Sequence, residues 1–339
     1  MANFIRNVYD KHYKPLLIIS VLLVVLSIGT IGYKYYTTGD FVSRGVSLTG
    51  GLTMQIPEPA STSPDDLSSY LSQKFPKADI SVMSFGQAEN KNFDIEASGV
   101  NESDFVAALQ EKFPSLTLDV INKNKGTVGP EFGAEFFVQT LKAVFIAFLF
   151  MSIVIFLYFG ESAKWKWIAG AATAVAALMI FYSSSLIMYI LPIIIFCGLV
   201  YLYIRQSIIS FGIVLCAISD VLFSLAIFNL FGMKLSIAGV AAFLMLVGYS
   251  IDTDILLSVR VQKRREGSVF DRVVGALKTG VTMSSCAFIA VLIAYLFTHS
   301  VVIKEIMFIL MAGLIGDVIF TWIQNAGILR WYLEGKGWH

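Results

Sequence analysis

The chain has 339 residues, of which 56% are hydrophobic and only 14% are charged, and its mean hydropathy is +0.73. This composition excludes an ordinary soluble protein, in which about a quarter of the residues are charged, and indicates a membrane protein. The formal net charge of +1 argues against nucleic acid as a partner.

Eight apolar runs approach the roughly 20 residues that a helix needs to cross a bilayer. The first follows basic residues but lacks a small-residue cleavage site, so we expect it to be retained rather than removed as a signal peptide. The third is short and ends in three serines, a turn signal that leaves a re-entrant hairpin open as an alternative. The predicted spans are 15–33, 138–159, 168–182, 186–204, 208–230, 235–259, 274–297 and 302–329.

Lys and Arg are distributed unevenly between the two sides of these spans. Fourteen fall on the side of the N-terminus, whereas the short connections of the opposite side hold only Lys234 and Lys304. The positive-inside rule therefore predicts cytoplasmic N and C termini. Omitting the hairpin of the third and fourth spans leaves six spans in the same orientation, because two crossings preserve parity.

About a hundred residues of ordinary soluble composition separate the first two spans and predict an extracytoplasmic domain. Ser63-Pro64-Asp65-Asp66 and Asn101-Glu102-Ser103-Asp104 are typical helix starts. The resulting βαββαβ order predicts an α+β ferredoxin-like sandwich. Its predicted elements are strand 45–56, helix 64–75, strand 79–85, strand 92–97, helix 102–113 and strand 116–122.

The predicted domain organisation has four parts. Residues 1–36 form the cytoplasmic N-terminus and the first transmembrane helix, and 37–135 form the extracytoplasmic domain. Residues 136–331 form a transmembrane helix bundle that includes an extra hairpin at about 166–205, and 332–339 form a cytoplasmic tail.

Four carboxylates lie within the predicted spans: Asp220, Asp252, Asp254 and Asp317. An ionised group at the centre of a membrane helix costs about 2.5 to 3.5 kcal/mol on insertion scales, so some of these groups must be protonated, paired or hydrated. Burial and a neighbouring carboxylate both favour the protonated form, which is the condition for reversible proton binding. The pattern therefore favours proton handling, with a static polar network between helices as the alternative.

Helical geometry separates the two aspartates of the sixth span. Asp252 and Asp254 are two residues apart, about 200° around a helix, so they cannot both face one partner. Arg260 lies two turns beyond Asp252, roughly 12 Å along the axis, and could reach that carboxylate only through water or after motion. Arg260 is a candidate counter-charge, with an ordinary anchor at the cytoplasmic end as the alternative.

Other classes of site lack support in the sequence. No cluster of Cys and His suggests a metal site, and no phosphate-binding glycine loop suggests use of ATP. Gly316-Asp317 resembles half of the motif of intramembrane aspartyl proteases, but Leu314 stands at the position of its first glycine. Ser219-Asp220 also lacks the tyrosine of the companion pair. We expect no enzyme activity, no cofactor and no metal.

Four separated motifs carry a family resemblance. Residues 44–53, with the letters RGVSLTGGLT, and 128–135, with VGPEFGAE, flank the predicted external domain. Ser219-Asp220-Val221 and the segment 248–257, GYSIDTDILL, lie in two spans. Together they resemble the SecF family of protein-export membrane proteins in its archaeal form, a relative of the resistance-nodulation-division transporters. Bacterial members usually carry Asn-Asp where this chain has Asp252-Thr253. The resemblance leaves out about 166–205, beyond the family's six spans.

The resemblance implies an accessory subunit of the Sec translocase. Such a subunit works with a SecD subunit of similar fold beside the SecY channel, contacts precursor proteins and membrane lipids, and promotes export with the proton gradient. The resemblance implies a proton relay at the interface between the pseudo-symmetric SecD and SecF halves, formed by Asp220, Asp252, Asp254 and Arg260. Asp317 is added to these candidates because of its position within a span. The alternatives are a stand-alone proton-coupled transporter of lipids or hydrophobic small molecules and a structural scaffold of the translocase.

Overall fold

A computed structural model describes residues 13–57, 62–87, 90–114, 116, 121, 125–182, 187–263, 267–298 and 300–336. Within these residues, seven helices are long and apolar enough to cross a membrane, and a further helix has a shorter apolar part, Leu191–Gln206. A small antiparallel sheet lies between the first two of the long helices. The chain is therefore a mostly helical, multi-pass membrane protein with one sheet domain.

The first part of the chain contains one apolar helix and the sheet domain. In chain order the elements are α1 (Tyr13–Thr38), α2 (Val46–Thr49), β1 (Gly51–Pro57), α3 (Pro64–Lys74), β2 (Asp79–Gln87), β3 (Asn90–Ser98), α4 (Glu102–Lys112) and β4 (Lys125–Val128).

The second part of the chain is helical throughout its described residues. It comprises α5 (Pro130–Phe159), α6 (Ala163–Tyr182), α7 (Ile187–Gln206), α8 (Ile208–Leu230), α9 (Ile237–Lys263), α10 (Val269–Phe297), α11 (Val301–Ile319), a π-helix (Phe320–Asn325) and α12 (Ala326–Gly335). These bounds follow the predicted spans closely, because in lipid a helix satisfies its own backbone polar groups.

The sheet domain has its own hydrophobic core. Its strand order is β2-β3-β1-β4, with antiparallel neighbours. Alternate residues of β1 and β3, such as Met54 and Ile95, are buried against α3 and α4, as expected for a sheet covered on one face. Both predicted helix starts are confirmed. Ser63 and Asp66 form a capping box at α3, and α4 begins at Glu102, although the N-cap Asn101 makes no side-chain hydrogen bond.

The start of the domain differs from the prediction. The strand predicted at 45–56 is interrupted, because Val46–Thr49 form a short helix before the strand begins at Gly51. Gly50 and Gly51 have φ values of +78° and +142°, which only glycine adopts readily. This glycine pair therefore makes the turn between the short helix and β1, a feature that hydrophobic alternation alone does not reveal.

The fourth strand also lies elsewhere along the chain. Most of the predicted strand 116–122 falls outside the described residues, and the described β4 is Lys125–Val128, which pairs with β1. The last predicted span, 302–329, is divided into α11, the π-helix and α12 rather than forming one regular α-helix.

Helix α11 occupies the middle of the bundle, where it packs against α8, α9 and α10. Helix α1 packs against α8 and the π-helix, and a methyl group at Gly327 would lie 2.7 Å from a methyl carbon of Leu17. Close approach of the helices therefore depends on small residues at their crossings.

The segment after α1 and strand β2 both attach the sheet domain to the end of the bundle at which α8 connects to α9. The amide of Gly45 donates to Leu235 O at 2.8 Å, and the amide of Leu235 donates to Ser43 O at 2.7 Å. Lys234 Nζ lies 2.8 Å from Asp79 Oδ1 at the start of β2. The connection between α8 and α9 thus holds the domain by backbone bonds and by one ion pair.

Candidate functional site

Three membrane carboxylates meet inside the bundle. Asp220 comes from α8, Asp254 from α9 and Asp317 from α11, and each is 0% exposed. Each lies close enough to the others for electrostatic interaction. We call these residues the carboxylate triad. They meet because α11 packs against both α8 and α9.

Hydroxyl groups hold both oxygens of Asp317. Thr321 Oγ1 donates to Oδ1 at 3.0 Å, and Ser284 Oγ of α10 donates to Oδ2 at 3.2 Å. Thr321 also lies 3.7 Å from the thiol sulfur of Cys216. Asp317 is therefore linked by its hydrogen bonds to a fourth helix, α10, and to the π-helix.

Each of the other two carboxylates of the triad has one oxygen in a close hydrogen bond, and the Cys216 thiol and the Thr321 hydroxyl also lie near Asp254. Ser250 Oγ donates to Asp220 Oδ2, and Asn325 Nδ2 donates to Asp254 Oδ1 at 2.7 Å. Within the described part of the chain, Asp220 Oδ1 and Asp254 Oδ2 are buried without a hydrogen-bond partner. A buried carboxyl group with such an oxygen is costly to ionise, and the free oxygen can bind a proton.

The π-helix directs polar side chains toward the triad. Thr321 contacts Asp317, Asn325 contacts Asp254, and Gln324 Nε2 donates to Ser219 Oγ at 3.1 Å. A π-helical turn contains an extra residue, which changes the direction of the side chains relative to a regular α-helix, and such turns often occur at functional sites.

Glycines bring the helices of the site close together. A methyl group at Gly316 would lie 3.3 Å from Asp220 Oδ1, and one at Gly212 would lie 2.8 Å from Asn325 Oδ1. At Gly280 of α10 a methyl group would lie only 2.1 Å from the Trp322 ring. Small residues therefore pack directly around the triad.

No cation neutralises the triad among the residues that the structure describes. None of the ion pairs there includes Asp220, Asp254 or Asp317. The described residues also hold no group of His, Cys, Asp and Glu suited to a metal ion. Three adjacent ionised carboxylates in so apolar a site would repel one another strongly.

Two of the candidate relay residues lie outside the triad. Asp252 is exposed on the outer surface of the bundle, on the other side of α9 from Asp254, as their helical spacing requires. Arg260 Nη1 donates to Gly275 O at 2.9 Å and to Thr279 Oγ1 at 2.8 Å, which ties α9 to α10. Arg260 thus faces hydrogen-bond acceptors on α10.

Four polar neighbours of the triad were not singled out as site residues from the sequence: Ser250, Thr321, Gln324 and Asn325. A signal for the last three was present, because with Asp317 they stand at helical spacings of four, seven and eight residues within an apolar span. Ser250 carries no comparable signal, since serine is common in transmembrane helices as a packing residue.

Comparisons with known proteins agree on one family. The model of the family described as "Protein export membrane protein SecD/SecF, C-terminal" matches residues 108–190 and 182–335. These matched regions include 166–205, the segment expected to lie outside the resemblance.

Two curated relatives are named "Protein-export membrane protein SecF". The one from Methanothermobacter thermautotrophicus is 31% identical over 330 residues, which cover 96% of this chain and 94% of the relative. The one from Pyrococcus furiosus is 30% identical over 327 residues, which cover 95% of this chain and 93% of the relative.

A solved structure shares the fold. The crystal structure of SecDF from Thermus thermophilus, titled a translocon-associated membrane protein, matches with a TM-score of 0.59 and 17% identity. The match covers 94% of this chain but only 38% of the SecDF chain, so this chain spans less than half of that protein's length. Together with the family match and the archaeal relatives, this similarity leads to one conclusion: the chain belongs to the SecD/SecF family of protein-export membrane proteins.

Proposed function

We propose that this protein is a non-enzymatic, proton-coupled accessory subunit of the Sec translocase, which acts with a SecD-type partner beside the SecY channel to promote export of precursor proteins. The names of the curated relatives support the export role. The observation that carries the proton-coupling part is the buried carboxylate triad, with its two unpartnered oxygens and with no described cation beside it.

Protonation changes which hydrogen bonds the triad can make. Ionised Asp317 accepts hydrogen bonds from Ser284 and Thr321, whereas the protonated acid also carries a donor. The added donor changes which of the three carboxyl groups donate and which accept hydrogen bonds. Because the helices pack closely, such a change shifts the bundle between discrete helix arrangements. The triad residues Asp220, Asp254 and Asp317 are therefore the core of the proposed relay.

Helix α11 offers a direct route from the triad to the outer domain. Asp317 and Glu305 are twelve residues apart on this helix, about 18 Å along its axis. Glu305 accepts hydrogen bonds from Ser236 N at 2.8 Å and Ser236 Oγ at 2.6 Å. The neighbouring Lys234 pairs with Asp79 of the sheet domain. A movement of α11 would therefore act on the connection that holds the domain.

The remaining relay candidates fit the surface of this subunit rather than its interior. Asp252 is exposed at membrane depth, where a carboxylate in contact with lipid would be costly. The position of Asp252 supports the proposal that the SecD-type partner covers this surface. Arg260 lies two turns further along the same helix. On this proposal Asp252 and Arg260 contribute to the relay only in the assembled complex.

The orientation and domain divisions are part of the same proposal. The excess of Lys and Arg on the N-terminal side supports cytoplasmic termini, with the sheet domain of 37–135 outside and the bundle of 136–331 in the membrane. The β2-β3-β1-β4 order with two helices on one face supports a ferredoxin-like domain.

Asparagine variants of the triad test the proposal in membrane vesicles that contain the complete translocase. We expect Asp220→Asn, Asp254→Asn and Asp317→Asn to remove the dependence of precursor export on an imposed proton gradient, while the exposed Asp104→Asn retains it. Gradient-dependent export that persists in all three triad variants would contradict the relay and would favour a scaffold role.

A further inference from the structure

A cavity of about 410 Å³ lies between the sheet domain and the outer end of the bundle. Its walls come from strands β2 and β3, from the connection between α8 and α9, and from the start of α11. The volume falls in the range of ligand-binding sites, roughly 300 to 1,000 Å³. The cavity is separate from the carboxylate triad, which lies deeper in the bundle.

The free edge of strand β2 borders this cavity. In the described residues β2 is the last strand of the sheet and pairs only with β3. Ser81, Val82 and Met83 all line the cavity, although successive side chains of a strand point to opposite faces. The cavity therefore extends from the face of the sheet to the edge of β2, where, among the described residues, no second strand pairs with it and another extended segment can add.

The charged groups of the cavity favour a cationic occupant. Three carboxylates, Asp94, Glu96 and Glu305, line it together with two lysines, Lys234 and Lys304. Lys234 already pairs with Asp79, and that pairing leaves the carboxylates in excess.

Burial and the neighbouring Glu96 raise the pKa of Asp94, although a hydrogen bond from Gln55 acts in the opposite direction. The residues around Asp94 therefore do not fully compensate its charge. Met83, Val301 and Val302 add apolar walls.

We propose that this cavity binds an extended polypeptide segment that adds a strand to the free edge of β2 and places a lysine or arginine side chain beside Asp94 and Glu96. The proposal rests on the proposed function, because a precursor in transit is an unfolded chain. It adds a contact site on the sheet domain and a preference for basic over acidic segments. Strand addition supplies affinity through main-chain bonds, and the carboxylates supply the charge preference.

The test uses the full-length protein in lipid nanodiscs and a fluorescent peptide of alternating Lys and Val. A photo-reactive benzoylphenylalanine replaces Met83, which is 38% exposed at the cavity, or Ser103, which is exposed on α4 as a control. We expect cross-linking from position 83 that excess unlabelled peptide suppresses, and only background from position 103. Equal cross-linking from both positions would overturn the proposal.

Binding affinities of two matched variants test the charge preference. Asp94→Asn should weaken binding of the Lys-Val peptide about three- to fivefold, the effect of one partly exposed ion pair, and Asp104→Asn on α4 should leave it unchanged. A Glu-Val peptide should bind more weakly than the Lys-Val peptide. Equal affinity of the two peptides, or equal effects of the two variants, would overturn the proposal.

The experiment requires neither a proton gradient nor export. Loss of gradient coupling in the triad variants and loss of peptide binding at the cavity are therefore separate results, so failure of one proposal is distinguishable from failure of the other.

Discussion

Replacement of Asp317 by asparagine tests the charge state of the carboxylate triad. Asp317 accepts hydrogen bonds from Thr321 at 3.0 Å and from Ser284 at 3.2 Å. Asparagine has the same shape, and the rotating hydroxyl of Ser284 can accept a hydrogen bond from the new amide as readily as it donates one to the carboxylate. We therefore expect both hydrogen bonds to survive the substitution.

The expected change in the free energy of unfolding depends on whether Asp317 is neutral at rest. If the side chain is protonated, the substitution exchanges one neutral, hydrogen-bonded group for another and should change the stability by less than about 1 kcal/mol. If it is ionised with no cation beside it, the substitution removes a buried charge whose effective penalty is several kcal/mol. Asparagine would then stabilise the protein by a similar amount.

Titration with a denaturing detergent, followed by the loss of helical circular dichroism at neutral pH, measures this difference. We expect the native chain and Asp317→Asn to unfold at nearly the same detergent fraction. Asp104→Asn is the control, because Asp104 is exposed in the sheet domain and its replacement should alter stability by no more than about 0.5 kcal/mol. Stabilisation of Asp317→Asn by several kcal/mol would refute a protonated Asp317 at rest.

Two further predictions concern packing and pH. Gly280→Ala places a methyl group 2.1 Å from the Trp322 ring and should destabilise the bundle by about 1 to 3 kcal/mol in the same titration. Gly275→Ala is the control and should be well tolerated, because no atom lies within 4 Å of the added methyl group. Equal effects of the two variants would contradict the close approach of Gly280 to Trp322. Because the pKa of Asp94 is raised in the folded domain, folding stabilises its protonated form, and the domain should lose stability as the pH rises through the range between the unfolded and folded pKa values. Hydrogen exchange of strand β3 should therefore show that Asp94→Asn is more stable than the native chain at neutral pH and that the two have equal stability in acid. A variant less stable than the native chain at neutral pH would contradict the predicted direction of the pH dependence.

Much of the membrane architecture follows from hydrophobicity alone. The predicted spans differ from the observed helices mainly at their ends, because run length and composition suffice to identify a helix in lipid. The sheet domain was predicted less completely. The strand predicted at 45–56 begins only at Gly51, since the paired glycines Gly50 and Gly51 adopt positive φ values that a hydrophobic pattern does not encode.

The sequence indicated which membrane carboxylates are candidates for the site, but not which of them lie together. Asp220, Asp254 and Asp317 were identified because carboxylates in apolar spans are costly. Helical spacing showed that Asp252 and Asp254 point in different directions but did not indicate which faces the interior. The packing of α9 against α11 places Asp254 inside and leaves Asp252 exposed.

Sequence alone is enough to predict which segments are helices, because run length and composition are local properties that identify a helix in lipid, and the carboxylates within those segments are read directly. Which side chains meet depends on the packing of the helices in three dimensions. Asn325 reaches Asp254 across 71 residues of chain, and Ser284 reaches Asp317 across 33. Such contacts depend on the rotation of each helix against its neighbours and on the π-helical turn. Those features arise from packing around small residues such as Gly316 and Gly280, and no periodicity within a single helix encodes them.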